Sequence, residues 1–175
     1  PGAWPSYYTK AKGCHVWDLD GNCFTDMSYM GIGACILGYA NPSVNQAVKK
    51  AVDLGTMTTL NCPEEVELAQ ELCSLHSWAK MVRFTRGGGE AMAVAVRIAR
   101  AYTKKDIVLF CGYHGWHDWY LSANLSNKRS LNTHLLSGLD PSGVPANLSG
   151  TVIGFEFNNT KEFLSLWSKY GNRVA

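Results

Sequence analysis

The stretch "RFTRGGGEAM", residues 83–92, limits the fold more than any other, because it sets three consecutive glycines between an apolar segment and a run with helical periodicity. Ahead of the glycines, "MVRFT" (81–85) reads as a short strand. Behind them Ala91, Val94, Ala95, Ile98, Ala101 and Tyr102 follow the i, i+3, i+4, i+7 rule, with Arg97, Arg100 and Lys104 on the opposite face. Two more apolar runs follow: "DIVLFCG" (106–112), of the kind buried on both faces, and the weaker "GTVIGFEF" (150–157). Thr160 is placed to cap a helix carrying Phe163, Leu166, Trp167 and Tyr170 up to Gly171, after which "RVA" resumes as a strand. Strands alternating with helices predict an α/β architecture with a mostly parallel sheet.

The residues before the junction read differently. "VWDLDGNCFTDM" (16–27) places Asp20-Gly21 between two segments rich in aromatic and β-branched residues, a hairpin signal. "GIGACILGYANP" (31–42) is an irregular loop, open to a ligand or another backbone, or simply turn chemistry. Asn41 can cap a helix that starts at Pro42 and carries Val44, Ala47, Val48, Ala51 and Val52 until Gly55. A second helix starts at Pro63, with Leu68, Leu72 and Leu75 on one face. The polar stretch 121–150 has little periodicity, and a loop of that length is a functional lid or a disordered segment.

Composition excludes several classes. Sixteen basic against fourteen acidic residues leave a net charge of +2, too balanced for a nucleic-acid footprint. No apolar run reaches the roughly 18 residues of a membrane span, and the chain reads as soluble. Cys14, Cys23, Cys35, Cys62, Cys73 and Cys111 are spread without a C-x-x-C pair, which speaks against zinc and for free thiols in a reducing cytoplasm. Asn-x-Ser/Thr triplets start at Asn124, Asn147 and Asn158, a pattern that also arises by chance. The opening Pro1-Gly2-Ala3 and the closing "YGNRVA" read as cut ends of a longer polypeptide.

Two constellations carry chemistry. A helix N-terminus leaves backbone N–H groups unpaired and bears about half a positive charge, so glycines there let a phosphate come within hydrogen-bond range. Tight packing of a helix on a strand would explain the same glycines. The Lys-Ser/Thr of a nucleotide P-loop and the G-x-G-x-x-G dinucleotide pattern are both missing, which disfavours ATP and NAD. The second constellation, "GYHGWHD" (112–118), follows the C-terminal end of a strand, where ligands bind in open α/β sheets. Its aromatic faces suit a planar ring. His114, His117 and Asp118 are metal-ligand types, but with no third cluster elsewhere a metal site is not expected.

"KGCHVWDLDGNCFTDM", "LGYANPSVNQAV", "MVRFTRGGGEAMAVAVRIARAYT", "YHGWHD" and "SGVPANLSGTVIGFEFNN" stand in the order and near the spacing of class III pyridoxal-phosphate aminotransferases. The chain resembles most the glutamate-1-semialdehyde aminomutase branch, over nearly its whole length. The resemblance implies the type I fold of pyridoxal-phosphate-dependent transferases, with an N-terminal segment (1–60) and the first part of the large domain (61–175), within which 121–150 is a mobile active-site loop. It further implies pyridoxal 5'-phosphate as cofactor, a homodimer with active sites at the subunit interface, and a small-molecule amino or keto/aldehyde substrate. The reaction implied is amino-group transfer through Schiff-base intermediates.

By that resemblance Gly87, Gly88 and Gly89 carry the cofactor phosphate, Tyr113 stacks on the pyridine ring and His114 accompanies it. The family usually has Ser-Gly-Thr where this chain has Gly87-Gly88-Gly89, so two hydroxyl donors are replaced, each a hydrogen bond to a charged group of roughly 1.5–3 kcal/mol. Arg86, directly before the glycines, can offset part of that. None of the ten lysines lies in a motif matching the family's Schiff-base lysine, which is expected beyond Ala175. The 175 residues alone are therefore expected to be inactive. Two other readings stay open: a non-catalytic homologue with a degraded cofactor site, and a secreted, glycosylated binding domain with disulfides.

Overall fold

A computed structural model describes residues 5–127, 130–132, 134 and 137–175, which divide into two compact units, 1–71 and 72–175. The first unit opens with three antiparallel strands in the order β1 (Tyr8–Lys12), β2 (His15–Asp18) and β3 (Cys23–Thr25), with His15 opposite Thr25 and Trp17 opposite Cys23. Asp18 closes the predicted hairpin. Its carboxylate accepts from the Asp20 and Asn22 amides at 2.9 and 2.8 Å and from the Asn22 side chain at 2.9 Å, while Gly21 takes φ +83°.

Helix α1 (Pro42–Leu54) starts where the sequence places it: the Asn41 side chain accepts from the Ser43 and Val44 amides, and Pro42 sits at the first position, where its missing N–H costs nothing. Its apolar stripe of Val44, Val48 and Val52 is exposed. Helix α2 (Pro63–Leu75) runs across the division between the units.

The second unit holds the parallel sheet. Helix α3 (Gly88–Thr103) precedes strand β4 (Val108–Phe110), which pairs in parallel with β5 (Val152–Gly154) through Val108 and Val152, Leu109 and Ile153, Phe110 and Gly154. On its other side Ile107 bridges in parallel to Val174, the Ala175 amide donating to the Ile107 carbonyl at 2.8 Å. The alternation predicted the parallel pairing correctly. Short helices α4 (Asp118–Leu121) and α5 (Ala123–Ser126), two 3-10 turns (Ala146–Leu148, Gly171–Arg173) and α6 (Thr160–Tyr170) complete the unit.

Two local expectations are corrected. Residues 81–85 do not form a strand. An apolar run becomes a strand only where a neighbour supplies hydrogen bonds, and among the described residues β4 takes its strand partner from β5, with Ile107 just before it bridging to Val174, and none from 81–85. The cap of α6 is Asn159 and not Thr160: the Asn159 side chain accepts from the Glu162 amide at 3.1 Å.

Val96 of α3, Phe110, Trp119, Tyr120, Ala123, Leu131, Leu139 and Val152 form the core of this unit. Three of them, Ala123, Leu131 and Leu139, come from the stretch 121–150, whose residues Lys128, Arg129, Thr133, Leu135 and Leu136 lie outside the described ones. Asn124, 1% exposed, ties its chain together by donating to the Leu139 carbonyl at 2.7 Å and accepting from the Leu131 amide at 3.0 Å. Burying the apolar members contributes roughly 1.5–3 kcal/mol for each large side chain.

Candidate functional site

Helix α3 begins without a side-chain cap. Gly87 is its N-cap residue, with extended backbone and no side chain to offer. The Ala91 amide is the first to find an intrahelical acceptor, the Gly87 carbonyl at 3.0 Å, so the amides of Gly88, Gly89 and Glu90 project from the helix end unpaired by the helix itself. The Glu90 carboxylate does not cover them. It accepts from the Arg86 amide at 2.9 Å and fixes the chain as it enters the helix, while Thr85 Oγ1 donates to the Gly87 carbonyl.

Opposite this helix end lies the loop that follows β4. Gly112, at φ +85°, turns the chain away from the strand, and its amide donates to Nδ1 of His134 at 2.9 Å. Gly115, at φ +96°, brings the loop against the glycines: a Cβ on Gly115 would stand 2.9 Å from the Gly89 Cα. A Cβ on Gly89 would in turn lie 3.0 Å from Cδ2 and Nε2 of His117. The junction thus approaches a second backbone closely, and two of its glycines, Gly87 and Gly88, would meet nothing within 4 Å.

Residues 86–90 and 113–117, with Met92, line one open cleft of about 680 Å³. All five positions singled out from the sequence, Gly87, Gly88, Gly89, Tyr113 and His114, are on its wall. Tyr113 is half-buried, packed edge-on against Tyr120 at 5.7 Å and Trp116 at 6.4 Å. His114 is engaged by its own loop, its Nε2 in hydrogen-bond contact with the Cys111 carbonyl at 2.8 Å and its ring 5.9 Å from Trp119. Phe110 is buried behind the loop and Trp116 is exposed at its rim.

The floor under the loop is aromatic and buried. Tyr120 and Trp119 are buried, and their Oη and Nε1 atoms have no partner among the described residues. Burial, with the neighbouring Tyr113, pushes the Tyr120 phenol up to about 12, so it remains a neutral hydroxyl. Among the described residues no group of three or more His, Cys, Asp and Glu is placed to hold a metal ion.

The sequence drew attention to His117 only as a metal-ligand type. It lines the cleft against Gly89, a placement that follows from the path of the loop through Gly115 and has no signature in local spacing.

Comparison with known proteins gives consistent matches. Residues 2–161 fit the family model described as aminotransferase class-III. The chain is 33% identical over 175 residues to the glutamate-1-semialdehyde 2,1-aminomutase of Thermoplasma acidophilum, covering 98% of this chain and 40% of that protein. It is 35% identical over 173 residues to the enzyme of the same name from a Sulfurihydrogenibium species, covering 98% and 39%. Among solved structures it superposes with a TM-score of 0.82 and 28% identity on a transaminase with PLP bound, over 99% of this chain and 41% of that one. The omega-transaminase from Sphaerobacter thermophilus gives the same TM-score at 26% identity, over 99% and 40%. The chain spans about 40% of the length of the curated relatives it matches.

Proposed function

The chain belongs to the class-III aminotransferase family, and from that membership we propose that it forms the phosphate-binding and ring-stacking side of a pyridoxal-phosphate site in an aminotransferase or aminomutase of the glutamate-1-semialdehyde 2,1-aminomutase kind. One observation carries the proposal: a helix N-terminus with open amides and no side chains of its own at 87–89 shares a cleft with a half-buried tyrosine ring. A phosphate dianion suits the first, because unpaired N–H groups and the helix dipole both favour negative charge. A flat heteroaromatic ring suits the second.

Bound there, pyridoxal phosphate supplies a carbonyl that condenses with primary amines and a ring that withdraws electrons. The chain's own residues hold and orient it. The amides of Gly88, Gly89 and Glu90 donate to phosphate oxygens, and Arg86 adds positive charge at the cleft wall. Tyr113 covers one face of the ring. His114 holds the loop that presents Tyr113 through its contact with the Cys111 carbonyl. Trp116 walls the side from which a small amino, keto or aldehyde substrate enters.

Among the described residues no lysine lines the cleft. We therefore place the covalent step on a lysine outside this segment, and the 175-residue polypeptide assayed alone is expected to transfer no amino group. The domain assignment proposed is 1–60 as the N-terminal segment and 61–175 as the first part of the cofactor-binding domain, with 121–150 gating the site. A homodimer in the cytoplasm completes the proposal, supported for the dimer by the exposed Val44, Val48 and Val52 stripe of α1.

A second reading, a homologue that has lost its chemistry, is favoured by the lack of any side-chain donor on Gly87, Gly88 and Gly89. Transfer of ¹⁵N from a labelled amino acid to a keto acid, measured on the intact protein with and without pyridoxal phosphate, separates the two. Transfer that depends on pyridoxal phosphate and is abolished by Gly88→Asp, which sets a carboxylate among the amides, supports the enzyme. Uptake of no cofactor and transfer of no nitrogen supports the inactive homologue.

A further inference from the structure

The three glycines are not alike. A Cβ on Gly87 or Gly88 would enter open space, whereas a Cβ on Gly89 would lie 3.0 Å from both Cδ2 and Nε2 of His117. The imidazole thus stands in the volume that a side chain at position 89 would take, beside the open amides of α3.

His117 is held there by its backbone. It is the N-cap residue of α4, and its carbonyl accepts from the Tyr120 and Leu121 amides at 2.9 and 3.1 Å. The preceding turn at Gly115, locked by its φ of +96° and its contact with Gly89, sets the direction from which the ring arrives. The ring itself is exposed in the cleft and no described residue takes up its Nε2. His114 differs in this respect, since its Nε2 is committed to the Cys111 carbonyl.

Given a phosphate at the N-terminus of α3, on which the inference rests, we propose that His117 is the side-chain donor to that phosphate, its Nε2–H reaching an oxygen that the amides leave free. A phosphate carries three peripheral oxygens and gains from charge-assisted donors that main-chain amides at one helix end do not exhaust. Gly89 is then bare because an imidazole from another segment occupies its side-chain space. The bare glycines are consequently a rearranged phosphate site and not a decayed one.

The test uses the intact protein and two probes that form no covalent bond to a lysine: pyridoxamine 5'-phosphate and pyridoxamine. His117→Ala is expected to raise the Kd for pyridoxamine phosphate about tenfold, and to change that for pyridoxamine less than about threefold, since pyridoxamine lacks the group His117 addresses. His117→Gln, which keeps an N–H of similar reach, should recover most of the affinity. Gly89→Ser should weaken binding in the wild-type background, where it meets the ring, and restore it in the His117→Ala background, where a hydroxyl takes over the vacated space.

Wild-type affinity for pyridoxamine phosphate in a His117→Ala protein overturns the inference. So does an equal loss for both probes, which would mean a structural role only. A wild-type protein that binds neither pyridoxamine phosphate nor pyridoxal phosphate overturns the cofactor assignment itself, and His117 with it.

Discussion

Gly89 and Gly115 meet backbone to backbone: a Cβ on Gly115 would lie 2.9 Å from the Gly89 Cα, so the first turn of α3 and the loop after β4 pack with no side chain between them. Gly115→Ala would add that overlap to a left-handed φ of +96°. It is expected to cost roughly 3 kcal/mol. Gly88→Ala, in open space and ordinary backbone, should stay within about 0.5 kcal/mol of wild type. Chemical denaturation of the intact protein checks both, and equal midpoints for the two variants would refute the contact.

Asn124 is a buried polar tie in the second unit, bonded at both ends of its amide. Asn124→Ala leaves the Leu139 carbonyl and the Leu131 amide unpaired in a buried setting. The expected loss is about 3 kcal/mol, the sum of two orphaned groups. Asn124→Leu should do no better, because volume does not replace the two bonds.

His134 is 5% exposed and accepts the Gly112 amide at Nδ1, an arrangement open only to the neutral ring. Burial holds it below the usual histidine value, with His114 acting in the same direction and Glu162 and Glu156 opposing. A lowered value in the folded state makes its contribution full above about pH 6.5 and lost as pH falls through the lower folded value. The denaturation midpoint should therefore drop on going from about pH 7.5 to about pH 5. His134→Asn should flatten that part of the profile.

Tyr113 presents its ring to the cleft and is braced edge-on by Tyr120 and Trp116. Tyr113→Phe is expected to keep the affinity for pyridoxal phosphate within about threefold, and Tyr113→Ala to lower it about tenfold, because the lost quantity is a stacked face of about 0.5–1.5 kcal/mol plus its buried area. Equilibrium dialysis reads the difference. Equal losses in both variants would shift the role to the hydroxyl.

Arg86 lines the cleft beside the glycines while its amide is held by Glu90. Arg86→Ala should weaken phosphate-bearing ligands severalfold, and the difference from wild type should shrink in about 1 M salt, since the guanidinium is exposed and acts by screened charge. An unchanged dissociation constant at low salt would remove Arg86 from the site.

Much of this was legible in the chain itself. Asn41 and Pro42 announce α1, the alanine-rich run after the glycines announces α3, and the apolar runs around Leu109 and Ile153 become the parallel pair. The strand expected at 81–85 did not form because an apolar run needs a partner edge to pair with, and the pairing of β4 with β5 that the fold makes instead is encoded in no local pattern. The cap of α6 moved by one residue because Asn159 and Thr160 are both capping types, and the backbone lets Asn159 reach the Glu162 amide.

What the sequence alone determined is the set of elements whose causes are short-ranged: capping side chains, helical periodicity, turn glycines and the bare junction at 87–89. Tertiary structure decided what stands against that junction. His117 and Gly115 come from the far side of a strand, and only the turn at Gly112 and the close contact of two glycine backbones bring an imidazole to the open end of a helix. Local hydrogen bonds can be read from neighbours in the chain, whereas the filling of one residue's missing side chain by another depends on packing in three dimensions.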